Sequence, residues 1–148
     1  MVNDASALGR FDGGAHAYPV RVYFEDTDLS GVVYYANYLR FMERARSDML
    51  RALGIGQRAA FEGGEGVYAV SELAIRYRRP ARLDDDLTVV SRVLSVGGAT
   101  ATIHQSVMRG REMLTEATVT AAFLTPGGKP RRQPPVWVAA FREVMESE

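Results

Sequence analysis

Residues 25–46 read EDTDLSGVVYYANYLRFMERAR, and it is here that residue types and spacing could do chemistry. Two carboxylates, Asp26 and Asp28, stand two apart in a polar break, followed by Ser30-Gly31 and the mostly apolar run Gly31-Val32-Val33-Tyr34-Tyr35. From Tyr35 onward apolar residues recur every three or four positions, the spacing of an amphipathic helix. The start of a helix offers free backbone N–H groups and a partial positive charge, which suit an oxyanion or a polarised carbonyl. A carboxylate pointed at the same spot could serve as nucleophile or as general base for water. Acyl transfer is the chemistry these parts fit. The same residues also have a plainer use: Asp26 and Asp28 satisfying turn and cap N–H groups, and Tyr34, Tyr35 and Tyr38 filling the core.

The elements that must position these groups follow from periodicity. Tyr18, Val20, Val22 and Phe24 alternate with Pro19, Arg21 and Tyr23, which predicts a strand with one buried face. In the helix, Tyr35, Tyr38/Leu39, Met42, Ala45, Met49 and Leu53 form the apolar stripe, and Arg40, Glu43, Arg44, Ser47, Asp48 and Arg51 fill the other side. The pattern predicts about five turns, with Asn37 as N-cap and Gly54 as the C-terminal glycine. No other long helix is predicted, so the stripe must be covered by a sheet. Alternation through Val67–Tyr77, around Leu87–Val93, Ala101–Val107 and Ala117–Phe123 predicts four further strands, with turns at Gly97-Gly98, Arg109-Gly110 and Pro126-Gly127-Gly128. A strand, a long helix and four consecutive strands joined by short turns predict an α+β fold, an antiparallel sheet wrapped around one helix. Residues 136–146 are expected to form a short helix closing one end. Residues 1–16, polar and Gly-rich, are expected to be a flexible segment ahead of a single domain over 17–148.

Composition narrows the function classes. In 148 residues, eighteen Lys and Arg balance eighteen Asp and Glu, whereas nucleic-acid binding calls for a basic excess. With no cysteine and two distant histidines, His16 and His104, no metal site is expected. No stretch approaches the ~18 apolar residues of a membrane span. Asp4, Arg10 and Asp12 interrupt the N-terminus where a signal peptide needs an apolar run, so a cytoplasmic protein is expected.

The run DTDLSGVVYYANYLRFMERARSDMLRALG, residues 26–54, resembles the signature of the hotdog-fold acyl-CoA thioesterases, in the branch containing 4-hydroxybenzoyl-CoA thioesterase and the YbgC-type enzymes associated with the Tol–Pal system. VSELAIRYRRPARLDDDLTVVSRV (70–93) and TAAFLTPGGKPRRQP (120–134) resemble the family's middle strands and its last strand with a basic turn. The similarity spans about residues 18–135. It implies hydrolysis of an acyl-CoA thioester to free acid and coenzyme A, with Asp28 as nucleophile or general base and the Tyr35 N–H polarising the thioester carbonyl. It further implies close backbone approach at Gly31, an acyl pocket shaped by Val32, Val33, Tyr34 and Tyr38, and a homodimer or homotetramer with sites at subunit interfaces. No cofactor is implied, coenzyme A being part of the substrate; an acyl-carrier-protein thioester is the other candidate substrate. YbgC-type members usually carry His where this chain has Tyr35, and hydroxybenzoyl-type enzymes carry an aromatic there. The turn Val96–Thr100 lacks the basic residues some relatives use for coenzyme A phosphates. Lys129, Arg131 and Arg132 in the closing turn are the remaining phosphate candidates, with Arg76, Arg78, Arg79 and Arg82 as a second set.

The other residues of interest have plainer readings. Glu43 stands on the helix, where another hotdog branch places a catalytic glutamate, but Arg44 and Arg46 are at hand to pair with it. His104 is expected on the sheet surface and His16 in a mobile lead-in. The loop Glu62–Gly66 is too acidic to cradle phosphate. A hotdog dehydratase would need a His–Glu pair that neither histidine is placed to make. A non-catalytic acyl-binding or protein-interaction module on the same fold is the alternative function. The acyl group itself is not readable from these residues.

Overall fold

The computed structural model describes residues 7–147. Strands β1 (Arg10–Asp12), β2 (Ala15–Arg21), β3 (Val67–Tyr77), β4 (Asp86–Val96), β5 (Thr100–Arg109) and β6 (Glu112–Leu124) form one antiparallel sheet in the order β1-β2-β4-β5-β6-β3. The sheet holds the long helix α1 (Asn37–Ala52) and is joined by a short α2 (Gln57–Glu62) and the C-terminal α3 (Pro135–Glu146). The expected α+β architecture of the hotdog type, one long helix in an antiparallel sheet, is what the chain adopts.

The apolar stripe of α1 explains the packing. Tyr38, Phe41, Met42 and Ala45 are buried with Val20, Val89, Val107 and Val119 from the sheet. One to two turns further on, Met49 and Leu50 join Val93 and Ile103, and Phe141 and Val144 of α3 close that end, as the pattern at 136–146 predicts. Arg40, Glu43, Arg44, Ser47 and Arg51 stay exposed. The helix stops in a Schellman motif: the Gly54 N–H donates to Arg51 O (3.0 Å) and the Ile55 N–H to Leu50 O (2.9 Å), with Gly54 at φ +79°. Ile55 and Leu50 then share the core, completing the motif with its apolar contact.

Four local expectations are corrected. Residues 10–16 are not a loose lead-in but a hairpin arm: β1 pairs with β2, and His16 is fully buried, its Nε2 3.0 Å from Asp48 Oδ2. The same Asp48 carboxyl accepts the Leu8 and Gly9 N–H groups (2.8 and 2.7 Å), so a polar side chain on α1 draws the N-terminal arm inward. Residues 1–6 lie outside the described ones. The first long strand ends at Arg21 rather than running to Phe24, which sits in a 3-10 turn (Phe24–Asp26) and is 82% exposed. Asn37 is not the N-cap but the first residue of α1, its side chain donating to Asp26. Finally, the four later strands are not a simple meander. β3 pairs with β6 at the far edge, and the chain then crosses to β4. That crossing, residues 78–85, runs along one end of the sheet, donating the Arg78 N–H to Leu114 O (2.8 Å) and the Ala81 N–H to the Tyr38 hydroxyl (2.9 Å). It also accepts the Val33 N–H at Ala81 O (2.8 Å), so it fixes the approach to α1.

Candidate active site

The segment between β2 and α1 is anchored by Asp26. Its side chain is 5% exposed; Oδ2 accepts the Tyr23 N–H and Oδ1 the Asn37 side-chain amide, both at 2.9 Å, and its carbonyl accepts the Tyr34 N–H at 2.8 Å. Asp26 thus fulfils the plain structural reading, tying the loop to the first turn of α1. Asp28 lies on the other side of the loop. It is exposed, and Oδ1 accepts the Ser30 hydroxyl (2.5 Å) and the Ser30 N–H (2.9 Å). Those two hydrogen bonds, the hydroxyl's first, hold its carboxyl below the ordinary carboxylate range, so it is ionised at neutral pH. The turn that presents it needs Gly31, whose φ of +81° is strained for any residue with a Cβ.

The expected oxyanion donor, the Tyr35 N–H, lies just ahead of α1, whose first residue is Asn37. The Tyr34 N–H is taken by Asp26 O and the Asn37 N–H by Tyr34 O (2.8 Å), while the intervening Tyr35 and Ala36 N–H groups have no partner among the described residues. Val33, Tyr35 and Tyr38 meet Tyr77, Arg78, Arg79 and Pro80 around a cavity of about 290 Å³. Gly31, Val32 and Tyr34 do not line that cavity, and neither does Asp28. Val32 is instead bridged to Arg82, and Tyr34 is packed on Tyr35 at 5.0 Å between ring centroids. Around the loop Phe24, Leu29, Tyr34 and Tyr35 are all exposed, a cluster of apolar side chains that one chain leaves uncovered.

Of the larger hollows elsewhere, two bear on the site, and the second gathers Arg131 and Arg132, which the sequence offers as phosphate candidates. One, about 330 Å³, opens between α1 and the sheet, with Leu50, Ala101, Ile103 and Phe141 as apolar wall and Glu43 and Arg46 among its polar lining. Arg46 is steadied there by Gln105, a buried side chain that also donates to Met42 O and Ser91 Oγ. No sequence signal marks this cavity, because its walls come from six elements spread along the chain. The other, about 1200 Å³, brings together Arg131, Arg132 and Arg142 beside the Gly63-Gly64 and Gly97-Gly98 turns. Arg131 is partly engaged in bracing, with Nη1 donating to the carbonyls of Gly64 and Glu65. Lys129 does not line this groove; Arg142 takes the third cationic place in its lining.

Of the second basic set, Arg78 pairs with Glu116 and Arg79 with Glu112, both at 2.8 Å. His104 is half-buried on the sheet with Nε2 3.7 Å from Glu116, consistent with a surface role. Among the described residues no group of His, Asp and Glu is placed to hold a metal ion, and no helix is long and apolar enough to cross a membrane.

Comparison with known proteins bears on the family and the fold. The family model of the thioesterase superfamily matches residues 30–116. The acyl-CoA thioesterase YbgC of Haemophilus influenzae is 45% identical over 129 residues, covering 86% of this chain and 95% of that protein. The acyl-CoA thioester hydrolase YbgC of Escherichia coli O6:H1 is 38% identical over 128 residues, 85% of this chain and 95% of its own. A crystal structure of a 1,4-dihydroxy-2-naphthoyl-CoA thioesterase from Synechocystis superposes with a TM-score of 0.81 at 20% identity, over 87% of this chain and 96% of that one, a likeness of fold.

Proposed function

The chain belongs to the thioesterase superfamily, and from that premise we propose that it hydrolyses acyl-CoA thioesters, water and thioester giving the free carboxylic acid and coenzyme A thiol. The observation that carries this reading is the Tyr35 N–H: unpartnered, flanked by two anchored peptide groups, and borne by the same loop as the ionised Asp28. The N–H polarises the thioester carbonyl and takes the developing negative charge, while Asp28 either attacks the carbonyl carbon or removes a proton from the attacking water. No cofactor enters the reaction. The enzyme acts in the cytoplasm, where coenzyme A thioesters are made.

An exposed Asp28 on a single chain calls for a second copy to enclose it. β3 is an eleven-residue edge strand with Val70, Leu73 and Tyr77 exposed, and a long uncovered edge is a template for pairing. The opposite edge, β1, has only three residues. Antiparallel pairing of two β3 strands about a two-fold axis near Glu72 sets the Tyr77 end of one copy against the Val67 end of the other. The loop carrying Asp28 and Tyr35 then faces its neighbour's 330 Å³ cavity, which takes the acyl group, and its neighbour's arginine groove, which takes the coenzyme A phosphates.

Free-thiol release over a panel of aromatic, short and long aliphatic acyl-CoA substrates tests the activity and identifies the acyl class. Asp28→Asn should lower turnover by at least ~10²-fold with KM largely kept, as expected on losing an essential base or nucleophile. Wild-type turnover in that variant would refute the assignment. Tight acyl-CoA binding by the unmodified protein without thiol release would point instead to a non-catalytic acyl-binding module.

A further inference from the structure

Tyr77 is the last residue of β3, and nothing in the hydrolytic reading above assigns it a task. Its hydroxyl donates to the carbonyl of Tyr35 at 3.0 Å, across 42 residues of sequence. Its ring meets Tyr35 edge-on at 6.2 Å and Tyr38 at 5.5 Å between centroids. The Tyr35 carbonyl is open to such a donor for a reason visible in the helix start. Tyr35 precedes the N-cap Ala36, so its carbonyl stands outside the helical ladder, and the Leu39 N–H donates to Ala36 O (3.1 Å). Tyr35 O therefore has no partner from the helix, and the Tyr77 phenol supplies its hydrogen bond.

Three hydrogen bonds therefore fix the backbone around the free Tyr35 N–H. Two are made by backbone groups of the loop and the helix start: Tyr34 N–H to Asp26 O and Asn37 N–H to Tyr34 O, each 2.8 Å. The third comes from a different element, and that element is the edge strand. Partial burial, and then the neighbouring Tyr35 and Tyr38 phenols, raise the Tyr77 pKa above its usual value, so it is a protonated donor throughout the neutral range.

We propose that Tyr77 is a positioning residue for thioester hydrolysis, its hydroxyl anchoring the Tyr35–Ala36 peptide group and through it the adjoining Tyr34–Tyr35 peptide, whose N–H meets the substrate carbonyl oxygen. The inference rests on the reading of Tyr35 as the polarising donor and extends it: the alignment of that donor depends on where β3 lies. An oxyanion donor works by being aimed before charge develops, so a loosened carbonyl anchor costs the chemical step rather than substrate binding.

Tyr77→Phe keeps the ring contacts and removes only the hydroxyl. In a free-thiol assay on the best acyl-CoA substrate it should lower kcat about tenfold with KM within about twofold, a fraction of the ~10²–10³-fold that loss of an oxyanion donor costs. Its urea midpoint and its mass by light scattering should match the parent protein. Wild-type kcat overturns the inference; so does a rise in KM at unchanged kcat, which would mean a binding role, and so does a kcat loss that tracks a lowered urea midpoint. Asp28→Asn, assayed alongside, separates the two levels. If Asp28→Asn turns over normally, the hydrolytic reading itself fails. If Asp28→Asn is inactive and Tyr77→Phe has wild-type kcat, only the role given to Tyr77 falls.

Discussion

At the scale of single residues, the two aspartates of one short loop have opposite fates, and burial decides which. Asp26 is enclosed and spends both oxygens and its carbonyl on the loop and the helix start. Asp28 faces outward, with Ser30 as its hydrogen-bonding partner, so its second oxygen is left for a substrate or a water. Its two chemical roles are separable: over repeated turnover in labelled water, a nucleophilic Asp28 carboxyl would itself take up the oxygen label, read by mass spectrometry of the peptide that contains it, whereas a general base would stay unlabelled. The buried His16 makes a second residue-scale prediction. Its Nε2 meets Asp48, but its Nδ1 is buried with no partner, so a second ring proton would be an unsatisfied buried donor. Burial outweighs the attraction of Asp48 and lowers the His16 pKa below 6.5. The unfolded chain then binds a proton more readily than the folded one, so stability is full above about pH 6.5 and falls as the pH drops through the folded value. Urea midpoints measured between pH 8 and pH 5 should decline, and NMR should find the His16 ring still neutral at pH 6.5.

At the scale of elements, α1 is defined by its two ends. Its start leaves two N–H groups free because the chain enters from a braced loop rather than through a capping side chain: Ala36, the N-cap, offers none. A helix start in use as a binding group cannot also be capped by its own side chains. Its end is closed by Gly54 in the left-handed region. Gly54→Ala should cost about 1 kcal/mol, the strain of a Cβ at positive φ, read as a lower urea midpoint at unchanged slope with acyl-CoA turnover intact. This end was legible in the sequence because glycine at that position has one dominant physical reason. At the start, Asn37 is the first helical residue and not the N-cap, because its amide group serves Asp26 eleven residues earlier, a partner that no local pattern names.

At the scale of the whole molecule, the sheet has one short edge and one long one, and the long one carries the consequence. Leu73→Asp, exposed on β3 and outside the 330 Å³ cavity, should leave a folded monomer by light scattering, and turnover should fall with the loss of paired chains. A fully active monomer would rule out a site shared between copies. The arginine groove and the acyl-sized cavity both lie toward the beginning of β3, whereas Tyr35 packs against the strand's last residue, Tyr77. From Val70, where the cavity's β3 wall ends, to Tyr77 is about 23 Å at ~3.3 Å per residue, so within one chain that wall lies well away from the Tyr35 N–H. Chain order and alternation determined much by themselves, the long helix and the later strands, because these depend on periodicity, and the run 26–54 carries the family resemblance in side chains close in sequence. Only the tertiary structure decided that β3 pairs with β6 instead of β4, that His16 is buried against Asp48, that the cavities lie between distant elements, and that Tyr77 reaches the Tyr35 carbonyl. Each of those rests on contacts between segments tens of residues apart, whose pairing is settled by how the whole core packs and not by any local pattern.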